Sequence, residues 1–215
     1  MTPAQGPPPG RVVLLAGPSG SGKSHLARAS GLPVLCLDEF YKDGDDPSLP
    51  RHAGLGIVDW DNPAAWDRDA AVAAVVAICR DGQAQVPDYD ISQDRAVGRR
   101  TFSRLGRPVF LAEGVFVGEL VAPCRDAGVL ADAIVIARAP WKNYARRLGR
   151  DLVERRKPPL TLLRRGRDLK AKERSLVAAL TAAGCRPLSG AQARAALAGW
   201  RRRADEPAAP QVDSA

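Results

Sequence analysis

The chain is poor in aromatic residues, which make up 5% of its 215 positions, and it holds two histidines, His25 and His52. So few rings argue against the stacking surfaces that single-stranded nucleic acid uses. Neither histidine has metal-ligand spacing, and His25 is expected to be an exposed residue on the first helix without a role. No run approaches the ~20 apolar residues of a membrane-spanning helix. The opening MTPAQGPPPG lacks the charged and apolar regions of a secretory signal. With DEPAAPQVDSA at the other end it reads as tail, giving expected disordered segments at 1–10 and 204–215. The four cysteines, Cys36, Cys79, Cys124 and Cys185, are scattered without a C-x-x-C pair. That argues for reduced thiols in a cytoplasmic protein. An N-K-x-D segment, the guanine reader of GTPases, is also missing.

What the chain does have is a loop for phosphate. Gly17, Pro18, Ser19, Gly20, Ser21, Gly22, Lys23 and Ser24 fit G-x-x-x-x-G-K-[ST]. Glycines let consecutive backbone N–H groups turn inward toward phosphate oxygens. A helix starting near Lys23 would add its free N–H groups and its positive dipole end. Lys23 brings a mobile positive charge to the β- and γ-phosphates, and the Ser24 hydroxyl can ligate Mg²⁺. The loop follows the apolar run Val12–Ala16 and precedes a helical pattern ending before Gly31-Leu32-Pro33. Strand, glycine loop, helix is the order that confirms the motif. The alternative, a flexible linker, does not explain that order.

Further buried strands are expected at Val34–Leu37, Pro108–Ala112 and Ala133–Ala137, each apolar on both faces. Helices are expected over Ala64–Arg80, Val115–Asp126, Trp141–Arg156, Leu160–Ala183 and Gly190–Arg202. The alternation predicts one α/β domain over 11–203: a P-loop NTPase fold with a doubly wound parallel sheet, helices on both faces and a basic helical lid at about 141–158. The helices of 160–203 would either pack on the sheet edge or form a homo-oligomer contact. The formal charge is +8, and from Arg138 to Arg174 fourteen Lys/Arg face four Asp/Glu. A nucleic-acid face, an arginine-lined phosphate site and a solvated helix surface all fit that bias.

Two acids select among chemistries. Asp38 follows the second strand, so it would emerge beside the γ-phosphate, where a carboxylate can accept a hydroxyl proton or help hold Mg²⁺. Glu113 follows the 108–112 run, in the place of a Walker-B-type carboxylate. Either acid alone could be an ordinary turn residue; two beside one P-loop point to function. The polar, loop-like stretches around Trp60-Asp61 and Tyr89 could anchor on the core. They could also stack a base and accept bonds from a diol. In RRLGRDLVERR, Asp151 can pair with Arg147 or Arg155 one turn away and fix a guanidinium.

GPSGSGKS, DEFY, DWDNP, VPDYDIS, LAEG and RRLGRDLVER, in this order, resemble the uridine kinase (uridine–cytidine kinase) family of P-loop kinases, from about Val12 to Lys157. The resemblance implies transfer of the γ-phosphoryl group of ATP, with Mg²⁺, to the 5′-hydroxyl of a nucleoside, and a place in pyrimidine salvage. It makes Asp38 the base, with Lys23 and Arg150 also catalytic, and puts Ser24, Asp38 and Glu113 on the metal. Tyr41, Trp60, Asp61, Tyr89, Arg95, Arg147 and Arg155 would surround the acceptor. It explains the basic stretch without nucleic acid, and it implies no membrane partner. This chain departs from the family in lacking the histidine that reads the pyrimidine edge; Ser92-Gln93-Asp94 stands there. Ile91 replaces a common aromatic, and Arg155-Arg156-Lys157 replaces Arg-Gly-Arg. Acceptors of the pantothenate or ribulose-phosphate type therefore stay open, as does a basic ATP-binding protein associated with nucleic acid.

Overall fold

The computed structural model describes residues 9–18, 20–52, 56–137 and 173–206. Five strands form one parallel sheet: β1 (Arg11–Ala16), β2 (Val34–Cys36), β5 (Val109–Glu113), β6 (Leu130–Ile136) and β7 (Arg186–Leu188). They lie in the order β2-β5-β1-β6-β7. Two further strands, β3 (Gln83–Asp90) and β4 (Arg95–Ser103), form a separate antiparallel hairpin.

The central strand shows why the sheet is covered on both sides. Successive side chains of a strand point to opposite faces, and Val12 through Ala16 are all fully buried. Val12, Leu14 and Ala16 join a core layer with α2 (Arg68–Asp81) and α3 (Gly118–Asp126), including Val75, Ile78 and Leu120. Val13 and Leu15 face the other layer, with Leu26 of α1 (Lys23–Ala29) and Leu197 of α5 (Gly190–Asp205). The helical residues 173–182, called α4, bring Leu176, Val177 and Leu180 to the first layer. The expected doubly wound α/β sheet is therefore present. The described part of 160–203 supplies the edge strand β7 and packs its helices on the sheet.

Local chemistry sets several boundaries that differ from expectation. Helix α2 starts at Arg68 instead of Ala64, because Asp67 accepts from the Ala70 N–H as its N-cap. Pro63–Ala65 form a separate 3₁₀ turn capped by Asn62. Helix α5 opens on a reciprocal Ser189–Gln192 capping box and runs to Asp205, past the expected tail boundary. The loop-like stretch around Tyr89 lies in this hairpin. Apart from Val86 and Phe102 its residues are partly or fully exposed, and Pro87 lies within β3, so the pattern carried little strand signal. Among the described residues no helix is long and apolar enough to cross a membrane.

Candidate active site

Parallel register brings the acids to the phosphate loop. Glu113, the last residue of β5, lies level with Leu15 on one side and Cys36 on the other. The loop after β1 and the segment after β2 thus flank Glu113 at the carboxyl edge of the sheet, where open α/β sheets bind ligands. Residue Gly22 takes φ 85°, a left-handed conformation that favours glycine, and it caps α1 with no side-chain bond to the first N–H groups. At Gly17 a Cβ would stand 2.7 Å from Ser21 Oγ, so only the bare backbone fits that close approach. Ser24 and Lys23 are partly exposed and His25 is exposed, as anticipated. Ser19 lies outside the described residues.

After β2 the chain enters a 3₁₀ turn, Leu37–Phe40, which carries Asp38. The fully buried Leu37 and the nearly buried Phe40 hold the turn from below. Trp66 Nε1 donates to the Leu37 carbonyl over 2.7 Å. The turn is pinned again where Tyr41 bridges Trp66, with Asp67 N donating to the Phe40 carbonyl at 2.8 Å. Asp38 Oδ1 accepts from the Val115 N–H over 3.1 Å, which points this carboxylate toward the end of β5.

Glu113 is 6% exposed, and its carboxyl is held above the usual carboxylate range. Burial is the main cause, since it penalises the charged form, and the charge of Asp38 adds to it. The Ser24 hydroxyl and the Lys23 ammonium pull the other way. Cys36 feels the same acids: burial first, then Asp38, push its thiol up to about 11. Lys23, Ser24, Asp38 and Glu113 therefore share one electrostatic neighbourhood. Among the described residues two buried side-chain atoms have no hydrogen-bond partner, Ser21 Oγ and Glu113 Oε2. Both border the phosphate loop, so the donor set fits groups completed by phosphate and by a hard, oxygen-seeking cation. No cluster of three His, Cys, Asp or Glu able to hold a metal occurs among the described residues.

Gly114 sets how close the two acids come. A Cβ on it would lie 2.8 Å from Leu37 Cβ and 3.0 Å from Asp38 Oδ1. Gly114→Ala is expected to push the 3₁₀ turn away, costing about 1–3 kcal/mol of stability. Because the displaced group is Asp38, turnover should fall in the protein that remains folded. Thermal melts alongside kcat check this, and an unchanged kcat would show that Asp38 does not depend on this approach.

The aromatic residues converge beside the acids. Tyr41 meets Trp60 edge-on at 5.6 Å, Phe116 at 5.8 Å and Tyr89 at 6.2 Å between ring centroids. The Tyr41 hydroxyl donates to the Trp60 carbonyl (3.2 Å), and that of Tyr89 to the Lys42 carbonyl (3.2 Å). Burial chiefly, then Asp38 and Asp61, raise the Tyr41 phenol well above its ordinary value. Burial first, then Asp94 and Asp43, push Tyr89 up to about 12. Asp61 is exposed at the rim, its N–H bonded to Asp59 Oδ1 (3.3 Å). Arg95 is exposed at the start of β4, lining a cleft with Asp43, Asp45 and Asp94. Arg147, Arg150 and Arg155, and the lid of 141–158 with them, lie outside the described residues. Sequence reasoning missed Trp66, Phe116, Glu39 and Arg100. The second tryptophan of DWDNPAAWD was the available signal for Trp66.

A parallel sheet in the order β2-β5-β1-β6-β7, with a glycine loop after β1 and acids at the ends of the two strands beyond it, defines the P-loop kinase type of fold. A solved structure from Silicibacter sp. TM1040, named as a fructose transport system kinase, shares this fold. Its TM-score is 0.53 at 20% identity, covering 88% of this chain and 91% of that one. Among curated proteins the chain is similar to the uridine kinase of Chloroflexus aurantiacus, 29% identical over 158 residues. That match spans 67% of this chain and 69% of the relative. The uridine kinase of Chloroflexus aggregans is 28% identical over the same length. The resemblance carried by the six motifs is thus matched by a similarity over 67% of this chain. No family model matches the chain.

Proposed function

We propose that the protein is an ATP- and Mg²⁺-dependent kinase that phosphorylates a hydroxyl of a small metabolite, nucleoside-like in having a flat group and a polyol. The observation that carries this reading is the meeting of Asp38 and Glu113 with Lys23 and Ser24 at one sheet edge. The similarity to uridine kinases supports the same class.

The backbone of Gly17–Ser24 would cradle the triphosphate, with Lys23 against its β- and γ-oxygens. Ser24 and Glu113, with Asp38 beside them, would hold Mg²⁺, which when bound neutralises charge developing on the phosphate oxygens. Asp38 accepts the acceptor's hydroxyl proton as its oxygen forms the new bond to the γ-phosphorus and the bond to ADP breaks. Tyr41, Trp60 and Tyr89 would hold the flat part of the acceptor, and Asp61 its hydroxyls. Arg95 would border this pocket, while Arg147, Arg150 and Arg155 are assigned by sequence position to the clamp over the phosphates. All four cysteines are free, which fits the reducing compartment where ATP is made available.

ADP formation measured against uridine, cytidine, purine nucleosides, pantothenate and ribulose 5-phosphate tests the reading. Stimulation by a nucleoside is expected. Stimulation only by pantothenate or ribulose 5-phosphate would retain the kinase and replace the acceptor class. No stimulation by any of them would contradict the reading.

A further inference from the structure

We infer that Arg100, acting through Glu39, is a positioning residue that docks the β3–β4 hairpin beside Asp38 and so sets the acceptor pocket between Tyr41 and Tyr89. The inference rests on the kinase reading of that pocket. It begins from a topological fact: the hairpin shares no hydrogen-bond ladder with the parallel sheet. Its place must come from side chains and isolated contacts.

Val86 and Phe102 seat the base of the hairpin in the core, Phe102 against Phe110 of β5, while its polar contacts converge on one short segment. Arg100 Nη2 donates to both oxygens of Glu39, at 2.8 and 2.7 Å. The Tyr89 hydroxyl donates to the Lys42 carbonyl, Ala96 N to Asp43 Oδ1 (2.7 Å), and Gly44 N to the Asp94 carbonyl (2.6 Å). All four fall on residues 39–44, the segment leaving Asp38. Glu39 and Asp38 are neighbours on one 3₁₀ turn, yet Asp38 bonds the end of β5 while Glu39 bonds the hairpin. Among the described residues, Arg100–Glu39 is the one ion pair between the hairpin and the rest of the protein. The Glu39 side chain is 20% exposed, so the pair is partly shielded from water and its charge-assisted bonds count for more than those of an open surface pair. Tyr89, carried by the hairpin, stands opposite Tyr41, carried by the turn. The same pair therefore controls the spacing of two pocket walls and leaves the phosphate loop untouched.

Arg100→Met keeps the aliphatic stem and removes the fork; Glu39→Gln is the milder partner change. Steady-state kinetics on the full chain should show the acceptor KM raised about tenfold in either variant with the ATP KM unchanged. The double variant should be no worse than the worse single one, and Arg100→Lys should recover part of the loss. Hydrogen exchange of residues 83–103, read on the same preparations, should quicken in Arg100→Met. Equal rises in both KM values, or additive losses, would overturn the positioning role, as would unchanged exchange in the hairpin. A wild type without acceptor turnover would instead defeat the kinase reading. Docking by the pair then stands or falls on the exchange result.

Discussion

Asp38→Asn is expected to abolish acceptor phosphorylation, lowering kcat by about 10²–10⁴-fold, while ATP still binds. The amide keeps the shape of the carboxylate and can still present its oxygen to the Val115 N–H, so the turn should hold. What it loses is the ability to take a proton from the incoming hydroxyl. The effect belongs in kcat and kcat/KM together, as for an interaction made only in the transition state. ATP binding followed by titration, next to turnover with the best acceptor, separates the two outcomes. A rate near wild type would remove Asp38 from the base position.

Glu113→Gln should have an opposite pair of effects on stability and activity. The folded-state carboxyl titrates above its ordinary value because it is buried. The folded state therefore binds the proton more tightly than the unfolded chain does. Stability accordingly falls as pH rises from the ordinary glutamate range through the raised value, and stays lower above it. At neutral pH an uncharged Gln removes that cost, so the ligand-free variant should melt at the same temperature as wild type or higher. In wild type this cost is offset only when Lys23, Ser24 and a bound cation face the ionised carboxylate. Nucleotide with Mg²⁺ at about 100 times its Kd should stabilise wild type by about 2.7 kcal/mol, and the Mg²⁺-dependent part of that gain should vanish in the variant. Turnover should drop about 10²-fold or more. The wild-type rate should also fall on acidification at a pH above that of an ordinary carboxylate. Parallel melts with and without Mg²⁺·ATP check all of this. A less stable ligand-free variant with normal turnover would contradict it.

The parts of the site that obey local rules were readable from residue order. A glycine loop between an apolar strand and a helix is the order that marks a P-loop, and each strand of a covered sheet declares itself by an unbroken apolar run, as in Val12–Ala16. The convergence of Asp38 and Glu113 followed because Glu113 ends β5 and Asp38 leaves the neighbouring parallel strand β2 at the same sheet edge. Other features depend on partners distant in sequence. Arg100 and Glu39 are 61 positions apart, and nothing in RRTFS or DEFY announces the pairing. The hairpin was hidden because only Val86 and Phe102 among its residues are buried in the core, with Ala84 packed against it, leaving most of its side chains polar and solvated. The burial of Glu113 was likewise invisible, since a strand-end acid reads the same in sequence whether it is exposed or enclosed by Ser24 and Lys23. Trp66 resembled any apolar residue of the helix expected over Ala64–Arg80 until its bond to the Leu37 carbonyl gave it a place beneath Asp38.

The most direct measurement follows the γ-phosphate itself by phosphorus NMR, in a mixture of the protein, ATP, Mg²⁺ and the acceptor that best stimulates ADP formation. A new phosphomonoester signal growing in step with ADP, and lost with Asp38→Asn, is the predicted result. ADP formation accompanied only by inorganic phosphate, or a phosphomonoester that forms equally well with Asn at position 38, would contradict transfer by the acids at the phosphate loop.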